Sequence, residues 1–282
     1  MLREISFEAL ETTLPILSRG FPSMRRGDWT AAIKRLRGFG ASDPAQRAAY
    51  LLEQKGRDVG VILAIPSNRP ADPTSTQPIV NLSSWYIDED SRWRAPHMLR
   101  AVTSSETTLY TDLTATPPVR AMIERFGFRG WTEGTLVFLL PQFAIGFARG
   151  SHVVPLRDLP ADAFPAPMRQ MLEQHAALDC VVGGLWDGDA LRPLIFSRKH
   201  YRGIRAARLI YADDRATVFA HMPAISRFLL REKFLLLAVN ADRRERVAGS
   251  IFTQRTAPAF YKGAQAPRAC DLAFSEFVFL QI

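Results

Sequence analysis

The sequence predicts an α/β protein built on a mixed, partly parallel sheet that is repeated in tandem. Three observations carry this. Strand-like and helix-like runs alternate between Ile79 and Leu140, an order that needs crossover connections between parallel strands. The same succession of strand, acidic turn, proline-opened helix and strand recurs in the second half. Finally, 282 residues, 47% of them apolar, suffice for two domains of ordinary size, expected at 1–145 and 146–282.

The elements follow in order. Phe7, Leu10, Thr13, Leu14 and Leu17 recur at near-helical spacing, and Trp29, Ile33 and Leu36 do so again behind Asp28, a residue type suited to an N-cap. Two helices are therefore expected before residue 40. Ala48 to Gln54 and Val59 to Ile65, split by Lys55-Gly56-Arg57-Asp58, read as a β-hairpin. Pro66 to Pro78, rich in Pro, Ser, Thr and Asn, reads as a surface loop. Then come a strand at Ile79–Ile87, a helix at Pro96–Val102, a strand at Thr107–Leu113, a helix at Val119–Phe126 and a strand at Thr135–Leu140.

Gln142 to Pro167 is expected to link the halves. Beyond it the pattern gives a helix at Met168–Leu178 and strands at Cys180–Trp186 and Leu191–Ser197. A further strand ends at Tyr211, a helix opens near Pro223, and strands follow at Phe234–Val239 and Leu272–Leu280. The two halves align on Asp88-Glu89-Asp90 with Pro96, against Asp213-Asp214 with Pro223, and each closes on an aromatic-rich run, LVFLL and FVFL.

Composition narrows the function classes. No run approaches the roughly 20 apolar residues of a membrane span, and the opening MLREISFEAL lacks the pattern of a secretion signal, so a cytoplasmic protein is expected. Cys180 and Cys270 lack the spacing of a zinc or redox motif and read as buried thiols, and no residue spacing suggests a metal. The net charge of +8 suits an anionic ligand such as a nucleotide cofactor. It is spread along the chain rather than gathered with stacking aromatics, which leaves nucleic acid as a minor alternative.

The turn before Pro96 has chemistry of its own. Proline favours the first helical turn, so Ser91 to Ala95 lead into a helix start whose amides suit phosphate oxygens, with Arg92 and Arg94 to add charge. The other reading of these residues has Asp88 to Ser91 capping the helix while the arginines answer the acids on a solvated surface.

The run IVNLSSWYIDEDSRWRAPHMLRAV, followed by TLYTDLT and PPVRAMIERFGFR, resembles the cofactor-binding region of the GNAT superfamily of acyl-CoA N-acyltransferases. The resemblance covers about half the chain once the N-terminal hairpin is included. It implies a sheet of acyl-CoA N-acyltransferase type, with acetyl-CoA or another acyl-CoA as co-substrate and a small-molecule amine as acceptor. It places the cofactor on Trp85, Tyr86 and Ile87 and on the turn of Arg92, Trp93, Arg94, Ala95, Pro96 and His97. Where the family turn carries glycines this chain has R-W-R-A-P-H, and the family's acid tyrosine and its upstream asparagine correspond to Ile123 and Thr116.

Acyl transfer to an amine needs a base and oxyanion donors. Asn81, Ser83 and Trp85 would share one strand face by two-residue alternation. Tyr110 and Asp112 share a face of the next strand, with Asp112 the best base candidate and, alternatively, the cap of the turn before Pro117-Pro118. Tyr261, in the second half, is a candidate displaced acid. His97 and His221 sit near the two helix starts as lone histidines. Two functions remain open: an acyl-CoA-dependent N-acyltransferase, or a non-catalytic tandem protein that binds an acyl-CoA or a protein partner.

Overall fold

The computed structural model describes residues 1–70, 76–147, 150–201, 203–254 and 257–281. The chain opens with a strand that helical periodicity had hidden, β1 (Leu2–Ser6), then a 3₁₀ turn and the helices α1 (Leu14–Gly20) and α2 (Arg26–Phe39). In α2, Trp29, Ala32, Ile33 and Leu36 are buried at the spacing of one helix face. Its N-cap is Arg25; Asp28 stands three residues on and accepts the Arg25 amide at 3.3 Å, so the acid closes the cap from inside the helix.

Next come β2 (Arg47–Gln54), β3 (Arg57–Pro70), β4 (Thr76–Ile87), α3 (Ala95–Val102), β5 (Leu109–Asp112), α4 (Pro117–Ile123) and β6 (Arg129–Thr132). The β2–β3 hairpin turns on Lys55 and Gly56, both at positive φ, as a two-residue hairpin loop requires. The loop expected at Pro66–Pro78 is largely strand, with Ser67 paired to Ile79 and Asn68 to Pro78; its residues 71–75 lie outside the described residues. Prolines fit because Pro66 lies beyond the last β2–β3 pair, Ala49 with Leu63, and Pro78 precedes the first β4–β5 pair, Ile79 with Leu109.

The rest of the chain gives β7 (Gly134–Leu139), α5 (Leu140–Ala144), β8 (His152–Pro155), α6 (Ala166–Ala177), β9 (Val181–Trp186), β10 (Leu191–Tyr201) and β11 (Ile204–Ala212). It continues with α7 (Arg215–Ala220), α8 (Met222–Arg231), β12 (Leu236–Ala241), β13 (Ser250–Thr253), β14 (Ala259–Lys262) and α9 (Glu276–Phe279). The expected linker at 142–167 thus holds a strand. The strand expected at Leu272–Leu280 is instead a turn and the short helix α9: Phe274, at φ 52°, interrupts any extended run there. Its residues are buried all round, a setting in which periodicity cannot separate helix from strand.

Two sheets of 7 strands result, in the orders β1-β2-β3-β4-β5-β14-β6 and β8-β9-β10-β11-β12-β7-β13. The orders are the same position by position, with one exchange: the sixth strand of each sheet comes from the other half of the sequence. By contacts the chain divides into one compact unit of residues 1–130 and 259–266 and another of 131–258 and 267–282. The runs LVFLL and FVFL are not equivalent, since the first is β7 of the second sheet and the second is mostly α9.

Each sheet has a parallel pair that parts early. In the first, β4 and β5 pair from Ile79–Leu109 to Leu82–Asp112, after which β4 runs on to Ile87 beside β3. In the second, β11 and β12 pair from Ala206–Leu236 to Arg208–Ala238, and β11 runs on to Ala212. Just beyond each parting point the longer strand bulges against its antiparallel neighbour, at Ser84 (φ 52°) in β4 and at Ile210 in β11.

The bulge corrects one expectation. An extra residue reverses the alternation, so Trp85 and Ile87 join Val80 and Leu82 against the core under α3 and α4, and Trp85 does not share the face of Asn81 and Ser83. The second core repeats the pattern, with Ala207 and Leu209 followed by Ala212. Among the described residues no helix is long and apolar enough to cross a membrane.

Candidate functional site

Where β4 leaves β5, a cleft of about 350 Å³ opens in the first unit. Trp85, Tyr86 and Ile87 line it from β4, Arg92 and Ala95 from the turn and start of α3, and Thr116, Pro118, Val119 and Met122 from α4. The parting strands leave main-chain groups of β4 without a ladder partner on that edge. One side-chain donor is stranded with them: the indole Nε1 of Trp85 is buried and has no hydrogen-bond partner. A buried donor left unmade costs about 1–3 kcal/mol.

The floor is rigid. Tyr86 packs its ring against Gly20, where a Cβ would stand 2.3 Å from the Tyr86 Cγ. Burial first, then the Asp88 carboxylate, raises the Tyr86 pKa. Asp88 itself accepts from Arg19 Nε at 3.1 Å and Nη2 at 3.0 Å.

The turn before α3 is wound more tightly than expected. Residues Glu89–Arg94 form 3₁₀ helix, the amide of Ala95 donates to the carbonyl of Arg92, and Pro96 has no amide to offer. Of the turn's two arginines, Arg92 is the one that lines the cleft; among the described residues it has an exposed pairing with Glu89 at 3.8 Å. Arg94 instead donates to the carbonyl of Glu53 at 3.3 Å and lies over the ring of Trp93, which is exposed. Pro96 and His97 are exposed and do not line the cleft.

The three candidates for chemistry stand apart from the lining. Asp112 occupies the last paired position of β5, opposite Leu82, at the apex of the parting strands. Its carboxylate accepts the Thr114 amide at 3.1 Å, and burial pushes its pKa up to about 6 against the pull of that bond. Tyr110 is buried and accepts the Ser105 amide at 3.2 Å. Tyr261 belongs to β14 and hence to the first sheet, paired with Thr111, with the Arg129 guanidinium 4.8 Å from its ring centre. His221 occupies the N-cap position of α8 in the second unit and makes no side-chain cap bond there. Among the described residues no group of three or more His, Cys, Asp or Glu is placed to hold a metal.

Sequence reasoning missed the α4 wall. Its only local signal is Pro117-Pro118, which fixes a helix start but says nothing of what the helix faces.

No protein-family model and no curated protein sequence matches the chain. Solved structures do. A GCN5-related N-acetyltransferase from Anabaena variabilis superposes with a TM-score of 0.58 at 13% identity, over 93% of this chain and 72% of that one. A Pyrococcus horikoshii protein proposed to be an acetyltransferase gives 0.57 at 10% identity, over 97% and 92%. A GCN5-related N-acetyltransferase from Kribbella flavida gives 0.54 at 10%, over 93% and 70%.

The fold is that of the GCN5-related N-acetyltransferases. These superpositions span nearly the whole chain, so the likeness in fold takes in both sheets. Within it, Ile123, at the position of the acid tyrosine suggested by the sequence resemblance, is fully buried in the core beneath α3 and α4.

Proposed function

We propose that the first unit is an acyl-CoA-dependent N-acyltransferase domain whose donor lies in the cleft between β4 and α4. The observation that carries the reading is the opening itself: parting parallel strands, an apolar wall of Ile87, Val119 and Met122, an unpartnered indole donor at Trp85 and one loosely held arginine at the mouth. These features match a long, mostly apolar arm with amide carbonyls and a phosphate end. Trp85 would donate to an amide oxygen of the arm, main-chain groups of β4 beyond Leu82 would pair with it as an added strand, and Arg92 would meet the phosphates.

A bound acyl-CoA supplies a thioester carbonyl: a C–N bond to the amine forms, the C–S bond breaks, and the amine's proton ends on the departing thiol. Asp112, at the apex of the parting strands, is the base we assign to the amine. A carboxyl near pH 6 is matched to that task at neutral pH. Tyr110 and Tyr261 act by packing, through Ser105 and Arg129.

The test is thermal. Acetyl-CoA at millimolar concentration should raise the melting temperature, and Arg92→Ala should remove most of the rise; no shift with any acyl-CoA sinks the reading. A second reading, binding without turnover, is favoured by the absence of an acid side chain from the cleft lining and by the engagement of Asp112 with the Thr114 amide. Free-thiol release from acetyl-CoA with a panel of amines decides between them: stabilisation without thiol release selects the second.

A further inference from the structure

The second sheet has the same parting strands as the first, but its slot is already filled. Leu82 and Arg208 are the last parallel-paired residues of the two long strands, and the bulges at Ser84 and Ile210 follow each by two positions. Ile210 to Ala212 are therefore the stretch of β11 that corresponds to the open edge of β4 at Ser84 and Trp85, with Ala212 facing the core as Trp85 does. Tyr211 faces Ile195 of β10 on one side. On the other side, the edge that β12 has left, it pairs in antiparallel fashion with Asp271. Leu272 donates its amide to the Ile210 carbonyl at 2.7 Å, and the Ala212 amide donates to the Cys270 carbonyl at 3.1 Å.

The occupying segment is fastened along its length. Arg268 donates to the Tyr211 hydroxyl at 2.9 Å and covers its ring, and the Cys270 thiol donates to the Ala212 carbonyl at 3.1 Å. Farther on, His175 of α6, its Nδ1 donating to the Met171 carbonyl at 2.8 Å, accepts the Phe274 amide at Nε2 at 3.1 Å. Phe277 lies beneath the Arg208 guanidinium at 4.1 Å, and Glu276 to Phe279 are almost wholly buried. A strand edge buried without partners is costly, so an extended segment of the chain's own that supplies both hydrogen bonds and apolar side chains is a stable occupant.

We infer that residues Arg268–Leu280 are the resident occupant of the second unit's slot: they pair with β11 where an extended ligand would, and close that unit to an acyl donor. Donor binding is thereby confined to the first unit, one equivalent per chain. The stoichiometry rests on the acyltransferase reading above; the occupation of the slot does not.

Hydrogen exchange of the full chain, read by mass spectrometry with and without acetyl-CoA, tests it together with a calorimetric titration by acetyl-CoA. Peptides covering 209–213 and 270–280 should exchange at least about 100-fold more slowly than unstructured peptides, unchanged by acetyl-CoA, and the titration should saturate at one equivalent. Fast exchange of 270–280, its release on adding acetyl-CoA, or two equivalents bound would each overturn the inference. So would acetyl-CoA binding that survives in the Arg92→Ala variant and maps to 209–213. No binding at all would instead refute the acyltransferase reading, and the exchange rates of 209–213 and 270–280 in the free protein would still decide whether the slot is filled.

Discussion

Asp112→Asn offers the sharpest check on the physics of the apex. In the folded chain burial lifts this carboxyl from 3.8 to about 6, so between roughly pH 4 and 6 the folded protein holds a proton that the unfolded chain has lost. Stability therefore falls as pH rises through that window, and above it the charged, buried form costs about 3 kcal/mol, taking roughly 1.4 kcal/mol per pH unit. The amide variant keeps an oxygen to accept the Thr114 amide, but it turns its NH₂ toward the Ala115 amide, which also bonds the native carboxyl, at a cost of about 1 kcal/mol. The variant should be about 1–2 kcal/mol more stable than the parent at pH 8 and about 1 kcal/mol less stable at pH 4. Urea unfolding followed by circular dichroism at both pH values measures this. The same pH dependence in both proteins would refute the argument that burial controls this group. If Asp112 is the base, thiol release should also fall in the variant and lose its rise near pH 6.

Three further outcomes follow from particular contacts. Gly20→Ala forces a methyl to within 2.3 Å of the Tyr86 ring, so it should destabilise by about 1–3 kcal/mol and, by displacing a cleft wall, weaken the thermal shift with acetyl-CoA. Arg208 is buried, donates to Asn240 at 2.9 Å and interacts with the buried Glu276; Arg208→Ala should cost about 3–5 kcal/mol in chemical unfolding, because it leaves the Asn240 oxygen without this donor and removes a cation that a buried acid interacts with. Burial pushes the Cys180 thiol up to about 12 and raises that of Cys270, so a thiol reagent at pH 8 should label neither until the protein unfolds, and rapid labelling of the native chain would contradict this.

Local rules recovered what local chemistry sets. The β2–β3 hairpin follows from Lys55-Gly56 at positive φ, α3 from Pro96, and the repeat from two acidic turns, of which Asp214 caps α7 by accepting the Thr217 amide at 2.7 Å. Of the proposed cofactor residues, Trp85, Tyr86, Ile87, Arg92 and Ala95 meet in one cleft, whereas Trp93, Arg94, Pro96 and His97 do not line it. The difference lies in a 3₁₀ winding that turns Arg94 toward Glu53, a long-range contact absent from the local pattern.

By itself, then, the sequence determined the hairpin, the central strands and helices of each half and their parallel crossover, because apolar period, proline and glycine act within a few residues; β1, β8 and α9 escaped it. Only the tertiary structure decided which sheet each strand joins. Main-chain hydrogen bonds are the same for every residue, so nothing in Thr135–Leu139 or Ala259–Lys262 marks them as strands of the other half's sheet. The bulge at Ser84, which turns Trp85 to the cleft, and the run 270–272, which fills the second slot, were decided there too. Each depends on which edge a parting strand leaves open, and that edge exists only once both strands are in place.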